Sequence, residues 1–196
     1  MRIVIATTNP GKLRELKEIA QGKSSVEFVL APEGFHVEET GTTFIENAVI
    51  KAKAAAEATG LMAVADDSGI EVKALDGRPG IHSARYCDGS DRDRRVKLLD
   101  EVKDVPAGNR EAAFVCAMAI CVPTGQTVFT TLNRWEGELG FSERGENGFG
   151  YDPIFVLPLL GKTSAEISPE EKNRMSHRGQ AFEQVLKFLQ QARTET

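Results

Sequence analysis

Two adjacent aspartates, Asp66 and Asp67, form the first group in the sequence that could do chemistry. They follow the apolar residues 61–65, which predict a buried strand ending at the aspartate pair. Because successive side chains of a strand point to opposite faces, only one of the two carboxylates need face a ligand. That carboxylate could hold Mg²⁺, which prefers oxygen ligands, and could orient or deprotonate a water molecule. An Asx turn is the structural alternative, and Glu39 could add a metal ligand.

A second candidate site lies between an apolar strand and a helix near the N-terminus. Its residues are Thr7, Thr8, Asn9, Pro10, Gly11 and Lys12. The free N–H groups and the positive dipole end of a helix N-terminus favour phosphate. A lysine in the first turn opposes that dipole, at a cost of about 0.3 to 1 kcal/mol unless an anion lies there. Lys12 therefore suggests a bound polyphosphate, and its removal should slightly stabilise the empty protein. A capping loop with a solvated lysine is the alternative.

A third candidate is the aromatic segment at residues 148–153, Gly-Phe-Gly-Tyr-Asp-Pro. Its two glycines would let the backbone approach a ligand closely. Phe149 and Tyr151 offer stacking faces for a base. A turn packed on the core is an equally good interpretation of this segment alone.

A fourth candidate is the polar segment at residues 176–179, between two predicted helices. His177 and Arg178 present hydrogen-bond donors there, and Lys172 lies one turn upstream. Such donors suit a carbonyl acceptor, for example a 6-oxo purine. A helix-connecting loop with incidental charges is the alternative.

The elements that must position these segments follow from the hydrophobic pattern. In the first third of the chain, a strand at 2–6, a helix after Pro10, a strand at 27–30, a helix at 43–59 and the strand at 61–65 are predicted. A capping box of Thr43 and Glu46 opens the second helix, and Gly60 ends it. This alternation favours an α/β fold, with helices on the faces of a sheet.

The remaining chain predicts a charged helix at 92–102 and a hairpin formed by residues 112–122 and 126–132. Ser168 and Pro169 mark another helix start. A final amphipathic helix carries Phe182, Val185, Leu186 and Leu189.

Composition narrows the class of protein. The 196 residues are 41% hydrophobic, which suits one compact domain, and the formal net charge is -5. An acidic chain is not expected to bind nucleic acid, because surfaces that do so concentrate lysine and arginine. No stretch approaches the roughly 20 apolar residues of a membrane helix, and three cysteines fit unpaired thiols in a reducing compartment. We therefore expect a cytoplasmic protein without membrane partners.

Together and in this order, the segments resemble the inosine triphosphate pyrophosphatase family, which hydrolyses non-standard purine nucleotides. The matching segments are 7–12, 39–41, 44–48 with 51–52, 65–69, 83–86, 148–153 and 176–179. The resemblance implies a single domain over residues 1–196, with an elongated mixed β-sheet, flanking helices and a central nucleotide cleft between two lobes. It also implies a homodimer that uses Mg²⁺ to convert ITP, dITP, XTP or dXTP to monophosphate and pyrophosphate.

The resemblance assigns roles to individual positions. Residues 7–12 are expected to hold the triphosphate, with cationic contacts from Lys51 and Lys172. Asp67 is implied to be the general base and a magnesium ligand, with Glu39 as a second ligand. The segments that match base recognition contain Phe149, Gly150, Tyr151, Asp152, His177 and Arg178. Ser68 and Arg85, from two other matching segments, are also expected to bind substrate.

Two other functions remain open at this point. A pyrophosphatase for modified pyrimidine nucleotides or dTTP would share the chemistry and differ in the pocket that binds the base. A nucleotide-sensing module would need the cations and the base pocket but not the carboxylates. Release of pyrophosphate with magnesium present separates an enzyme from a sensor.

Overall fold

The computed structural model describes residues 1–22 and 26–194, and the protein is an α/β protein built around a mixed sheet. Its strands are β1 (Arg2–Ile5), β2 (Glu27–Leu30), β3 (Met62–Val72), β4 (Glu111–Cys121), β5 (Thr127–Leu139), β6 (Phe155–Leu157) and β7 (Lys162–Thr163). Its helices are α1 (Pro10–Ala20), α2 (Phe44–Thr59), α3 (Asp91–Glu101), α4 (Pro169–Met175) and α5 (His177–Thr194).

The strand order within the described residues is β2-β1-β3-β4-β5-β6-β7. Strand β1 pairs in parallel with β2 and β3, whereas β6 pairs antiparallel with β5 and β7. The predicted α/β class with a mixed sheet and flanking helices is therefore confirmed. The single domain and the nucleotide cleft between lobes stay predictions.

The first of two compact units comprises Met1–Asp67, Cys116–Asn133 and Arg178–Thr196. Its core joins apolar side chains of the strands and of α5, among them Ile3, Val64, Met118 and Phe182. The predicted apolar stripe of the last helix is confirmed, because its four residues at helical spacing are all buried. Among the described residues, no helix is long and apolar enough to cross a membrane.

The second unit comprises Ser68–Val115 and Arg134–His177, and aromatic side chains fill much of its core. The ring centroids of Phe114 and Phe155 are 4.3 Å apart, and those of Trp135 and Phe155 are 5.4 Å apart. Offset and tilted pairs of this kind add about 0.5 to 1.5 kcal/mol each beyond the burial of their surface.

Helix α2 begins and ends where the sequence predicts. Thr43 Oγ1 accepts a hydrogen bond from the Glu46 N–H at 3.2 Å, and the Glu46 carboxylate accepts one from the Thr43 N–H at 3.1 Å. Gly60 ends the helix with a left-handed φ of 66°. Because both ends are fixed, Asn47 and Lys51 lie one turn apart on the same face of α2.

The prediction that the third strand ends at the aspartates is wrong. Strand β3 continues to Val72, so Asp66 and Asp67 lie in its interior. Gly69 permits a close approach within the strand: a Cβ there would lie 2.3 Å from Gly80 O and 2.5 Å from Ser83 Oγ. Strand β5 is also longer than predicted and reaches Leu139.

Arg110 connects three parts of the second unit through its buried guanidinium. It donates to Leu139 O at 2.9 Å and Gly140 O at 2.8 Å, after β5. It also donates to Val102 O at 2.5 Å and Val105 O at 3.1 Å, after α3. Four carbonyl groups therefore accept hydrogen bonds from one side chain, and Val102 O accepts a further one from the Val105 N–H at 3.1 Å.

We expect Arg110→Ala to destabilise the protein by about 3 to 5 kcal/mol, because it removes a buried guanidinium and its hydrogen bonds to carbonyl groups of two segments. Urea unfolding followed by circular dichroism measures this loss. Arg134→Ala is the matched control, since Arg134 makes only partly exposed ion pairs with Glu71 and Glu136. The control should lose no more than about 1 kcal/mol. Equal losses in both variants would contradict the structural role of Arg110.

Candidate active site

Asp66 is a buried carboxylate of β3, with a side chain only 1% exposed. Lys12 Nζ lies 2.8 Å from its Oδ2 atom, and Arg178 Nε lies 3.6 Å from the same atom. Arg178 also pairs with Glu15 of α1. Burial alone would raise the pKa of Asp66, but Lys12 and Arg178 hold that pKa well below its usual range. This geometry supports the hypothesis that Asp66 is mainly structural.

Asp67, the next residue, contacts different partners because its side chain points to the other face of the strand. Asn47 Nδ2 donates to its Oδ2 atom at 3.2 Å, and Lys51 Nζ lies 3.5 Å from its Oδ1 atom. Burial raises the pKa of Asp67 above its usual range, although Lys51 and Lys12 oppose the shift. The pKa values of the two neighbouring carboxylates are thus displaced in opposite directions, and Asp67 is the stronger base.

Lys51 joins Asp67 to Glu39, whose Oε1 atom lies 2.5 Å from the ammonium group. Burial alone would lower the pKa of Lys51, but the carboxylates of Asp66, Asp67 and Glu39 raise it above its usual range. Lys51 is therefore a cation at neutral pH, positioned between two carboxylates. We call Lys12, Glu39, Lys51, Asp66 and Asp67 the ion-pair cluster; all five belong to the first unit.

The ion-pair cluster offers only part of a metal-binding site. Within residues 1–22 and 26–194, no group of three or more His, Cys, Asp or Glu side chains could hold a metal ion. Asp67 and Glu39 nevertheless share one cation, Lys51, which shows that two carboxylates converge there. Mg²⁺ commonly binds one or two carboxylates and completes its shell with water and substrate phosphates. These residues therefore fit a magnesium ion that arrives with a polyphosphate.

Residues 7–12 lie where the sequence predicts, between β1 and the N-terminus of α1. Asn9 is the N-cap, and its Oδ1 atom accepts a hydrogen bond from the Lys12 N–H at 3.1 Å. Thr7 Oγ1 accepts one from the Asn9 N–H at 3.3 Å. The first helical turn, which begins at Pro10, contains no acidic residue. The positive end of the helix dipole can therefore act on an anion.

Lys12 is not the unpaired cation that the sequence suggests. Its side chain is 15% exposed. The Asp66 carboxylate supplies a negative charge that offsets the repulsion between Lys12 and the positive end of the helix dipole. The expectation that removing Lys12 would stabilise the empty protein therefore rests on a wrong premise. Binding of a polyphosphate by Lys12 stays a prediction.

In the second unit, Asp152 organises the aromatic loop, which we define as residues 148–152. Its carboxylate accepts hydrogen bonds from the Phe149 N–H at 2.8 Å and from Ser164 Oγ at 2.6 Å. Lys172 Nζ lies 2.5 Å from the same carboxylate and 5.0 Å from the centroid of the Phe149 ring. Both carboxylate oxygens of Asp152 are thus engaged. The contacts of Lys172 are with the aromatic loop, and its predicted contact with a triphosphate stays a prediction.

Only one aromatic ring of this loop offers a stacking face. Tyr151 is 6% exposed and belongs to the core of the second unit, where its hydroxyl donates to Ser83 O at 2.8 Å. Burial raises the pKa of Tyr151 well above its usual range. The prediction that both rings face a base is wrong for Tyr151, because the core requires its ring. Phe149 is partly exposed and keeps that role as a prediction.

His177 and Arg178 begin α5, and only Ser176 separates them from α4. The predicted position of residues 176–179 between two helices is therefore wrong for residues 177–179, which belong to α5. The His177 ring is buried and stacks on Phe114, with centroids 4.9 Å apart and an interplanar angle of 11°. Arg178 is also buried and is engaged with carboxylates. Recognition of a base by either residue stays a prediction.

Two further residues, Ser68 and Arg85, are predicted to bind substrate. Ser68 follows Asp67 directly on β3 and is partly buried. Arg85 is exposed at the end of the short 3₁₀ helix Gly80–Arg85. Contacts of both with a substrate stay predictions.

Three residues of these clusters were missed by sequence reasoning. Asn47 had a usable signal, because it lies four residues before Lys51 on a predicted helix. Glu15 is a buried acid one turn after Lys12, and its position beside the apolar stripe of α1 was a second signal. Ser164 had no signal, since its partner Asp152 is distant in sequence.

We expect Lys12→Ala to destabilise the protein by roughly 1 to 3 kcal/mol, because the buried Asp66 carboxylate loses the cation that lies 2.8 Å from it. The control Lys17→Ala removes an exposed lysine of the same helix and should change stability by less than about 0.5 kcal/mol. Thermal unfolding compares the two. The pKa of Asp66 is depressed in the folded state, so its contribution is present above its unfolded value, near 3.8, and declines as pH falls below it. If Lys12→Ala were more stable than the wild type, the original expectation that Lys12 destabilises the empty protein would be correct.

Comparison with known proteins identifies the family. The model of the Ham1 family matches residues 3–188. A dITP/XTP pyrophosphatase of Nitratidesulfovibrio vulgaris is 50% identical over 196 residues, covering 95% of this chain and 94% of the relative. A HAM1 protein of Coxiella burnetii has a similar structure, with a TM-score of 0.87, 41% identity and coverage of 97% and 99% of the two chains. A dITP/XTP pyrophosphatase of Mycobacterium abscessus has a TM-score of 0.75 and 44% identity, with coverage of 95% and 99%. This chain therefore belongs to the Ham1 family.

Proposed function

We propose that this protein hydrolyses non-standard purine nucleoside triphosphates, such as ITP, dITP, XTP and dXTP, to nucleoside monophosphate and pyrophosphate. The observation that carries the proposal is the convergence of Asp67, Glu39 and Lys51 in the ion-pair cluster. This arrangement combines a basic carboxylate, a partial metal site and a cation, which hydrolysis of a polyphosphate requires. The activity named for the relatives supports it.

The reaction consumes one water molecule. The water oxygen bonds to the α-phosphorus, the bond between that phosphorus and the oxygen bridging to the β-phosphate breaks, and pyrophosphate leaves. Asp67 orients the water and accepts its proton, in the role of general base. The N-terminus of α1, with Lys12 and Lys51, holds the phosphates and stabilises the negative charge on the leaving group.

A divalent metal ion fits this chemistry, and we propose Mg²⁺. Asp67 and Glu39 are the protein ligands. When bound, Mg²⁺ offsets the negative charge of the phosphates. The hydrogen bond from Asn47 Nδ2 to Asp67 holds the carboxylate in place independently of the metal.

Phe149, His177 and Arg178 are the groups that we propose to bind the base. Phe149 offers its ring. The ammonium group of Lys172 lies 5.0 Å from the centroid of that ring and forms a cation–π contact with it. His177 and Arg178 are the predicted donors to a 6-oxo group. The rigid stacking of His177 on Phe114 fixes the orientation of its ring. Assembly as a homodimer and a cytoplasmic location complete the proposal.

We expect Asp67→Asn to lower kcat by about 10² or more, because the amide cannot accept the proton from water. The fold should persist, since an amide oxygen can still accept the hydrogen bond from Asn47. The experiment measures pyrophosphate release from ITP together with thermal unfolding. Glu71→Gln, which neutralises another carboxylate of β3, is the control and should keep kcat. Near wild-type turnover in the Asp67 variant would remove Asp67 from the mechanism.

A substrate panel tests the assignment to purines. We expect ITP and XTP to exceed ATP by about 10² in kcat/KM, because the 6-amino group of ATP faces donors and leaves buried groups unpaired. Chelation of divalent ions should abolish release of pyrophosphate, and added Mg²⁺ should restore it. The panel includes ITP, XTP, GTP, ATP and dTTP. Equal efficiency with ATP, or a preference for dTTP, would reject the purine assignment, and binding without pyrophosphate release would indicate a sensor.

A further inference from the structure

Helix α3 holds both peptide groups of Gly150, at the centre of the aromatic loop. Asp91 Oδ2 accepts a hydrogen bond from the Gly150 N–H at 2.9 Å. Arg95 Nη1 donates to Gly150 O at 2.7 Å. Asp91 and Arg95 lie four residues apart and therefore on the same face of the helix. All of these residues belong to the second unit.

The N-terminus of α3 leaves Asp91 available for this contact. The helix is capped by Ser90 and Asp93, whose side chains bond to each other's backbone N–H groups. Arg94 Nη2 holds the other oxygen of Asp91 at 2.6 Å. Partial burial raises the pKa of Asp91, but the hydrogen bonds from Arg94 and from the Gly150 N–H bring it below its usual range. Asp91 is therefore ionised at neutral pH, and its bond to Gly150 is charge-assisted.

Arg95 has one further partner, which allows its two contacts to be tested separately. Its Nη2 atom lies 3.1 Å from Glu143 Oε2, and its side chain is 12% exposed, against 33% for Glu143. The contact of Arg95 with Gly150 is more buried than its contact with Glu143. Removal of Glu143 would leave the bond from Arg95 to Gly150 in place.

The residue held by these two hydrogen bonds is a glycine, which has intrinsic conformational freedom. Gly150 has a φ of 59°, in the left-handed region that glycine adopts readily, and an added Cβ would meet no atom within 4 Å. Packing therefore does not fix its conformation. The N–H belongs to the peptide that joins Phe149 to Gly150, and the carbonyl to the peptide that joins Gly150 to Tyr151. Bonds to both groups fix the two dihedral angles of Gly150, and with them the direction of Phe149.

We propose that Asp91 and Arg95 are positioning residues, which fix the aromatic loop through Gly150 so that Phe149 is preorganised to stack on the base. This inference rests on the proposed function, in which Phe149 contacts the base. A preorganised ring spares the entropy of ordering the loop when substrate binds. The effect of losing it falls on binding of the base, because α3 and the aromatic loop belong to the second unit, whereas the ion-pair cluster belongs to the first.

The experiment compares Arg95→Ala with two matched controls. Arg92→Ala removes an exposed arginine of the same helix, and Glu143→Ala removes the other partner of Arg95. Amide hydrogen exchange of peptides covering residues 148–152 measures the order of the loop. Calorimetric titration with inosine monophosphate and with inorganic pyrophosphate separates binding of the base from binding of phosphate. Turnover of ITP gives kcat and KM.

We expect Arg95→Ala to speed exchange in residues 148–152, to weaken binding of inosine monophosphate about tenfold and to raise KM for ITP by a similar factor. Binding of pyrophosphate and kcat should stay within about threefold of wild type. Both controls should behave as wild type. Arg95→Lys, which keeps one charged donor, should recover part of the binding and provides the comparison if the alanine variant is unstable.

Three results would overturn the inference. These are unchanged exchange in the loop, equal effects in Arg95→Ala and Glu143→Ala, or equal weakening of inosine monophosphate and pyrophosphate. Failure of the proposed function is distinguishable, because the wild-type protein would then release no pyrophosphate from ITP. Hydrogen exchange would still decide whether α3 holds the loop.

Discussion

The neutralisation of the buried Asp66 carboxylate is the interaction on which the first unit depends. A buried carboxylate without cations would carry a large desolvation cost, so Lys12 and Arg178 must lie where they do. Glu15 in turn neutralises Arg178. The charges alternate in sign from Glu15 to Lys12, and they connect α1, β3 and the first turn of α5. The N-terminal end of α1 is thereby held in fixed relation to the strand that carries Asp67.

This arrangement also separates the tasks of the two aspartates. Lys12 and Arg178 lower the pKa of Asp66, whereas at Asp67 burial outweighs Lys51 and Lys12 and raises the pKa. Neighbouring residues on a strand face different environments, which allows one carboxylate to serve stability and the next to serve chemistry. The same division recurs in the second unit, where Tyr151 serves the core and the adjacent loop presents Phe149.

The sequence predicts best what is local. The ends of α2 follow from Thr43, Glu46 and Gly60, whose capping chemistry involves residues only a few positions apart. The loop before α1 follows from the same rules. The continuation of β3 past the aspartates was missed, because Gly69 lies against Gly80 and Ser83, which no local pattern indicates.

Long-range pairs account for the errors in the candidate site. Arg178 was predicted to be an open donor, yet its carboxylate partner Glu15 lies 163 positions away in sequence. Lys12 was predicted to be unpaired, because no residue near it in sequence indicates that it pairs with Asp66. The resemblance to a known family supplied the identity of the site residues, but not which of them pair with one another in the folded chain.

The aromatic core of the second unit has an optical consequence. Trp135 is the only tryptophan in the sequence, it is 9% exposed, and its ring lies 6.4 Å from the ring of His177. Indole emission depends on the polarity around the ring and is quenched by a nearby imidazolium. The tryptophan fluorescence of the protein therefore comes from one place, next to a residue predicted to contact the base. Conformational or binding changes near the N-terminus of α5 can therefore be followed by tryptophan fluorescence, without a label and without turnover.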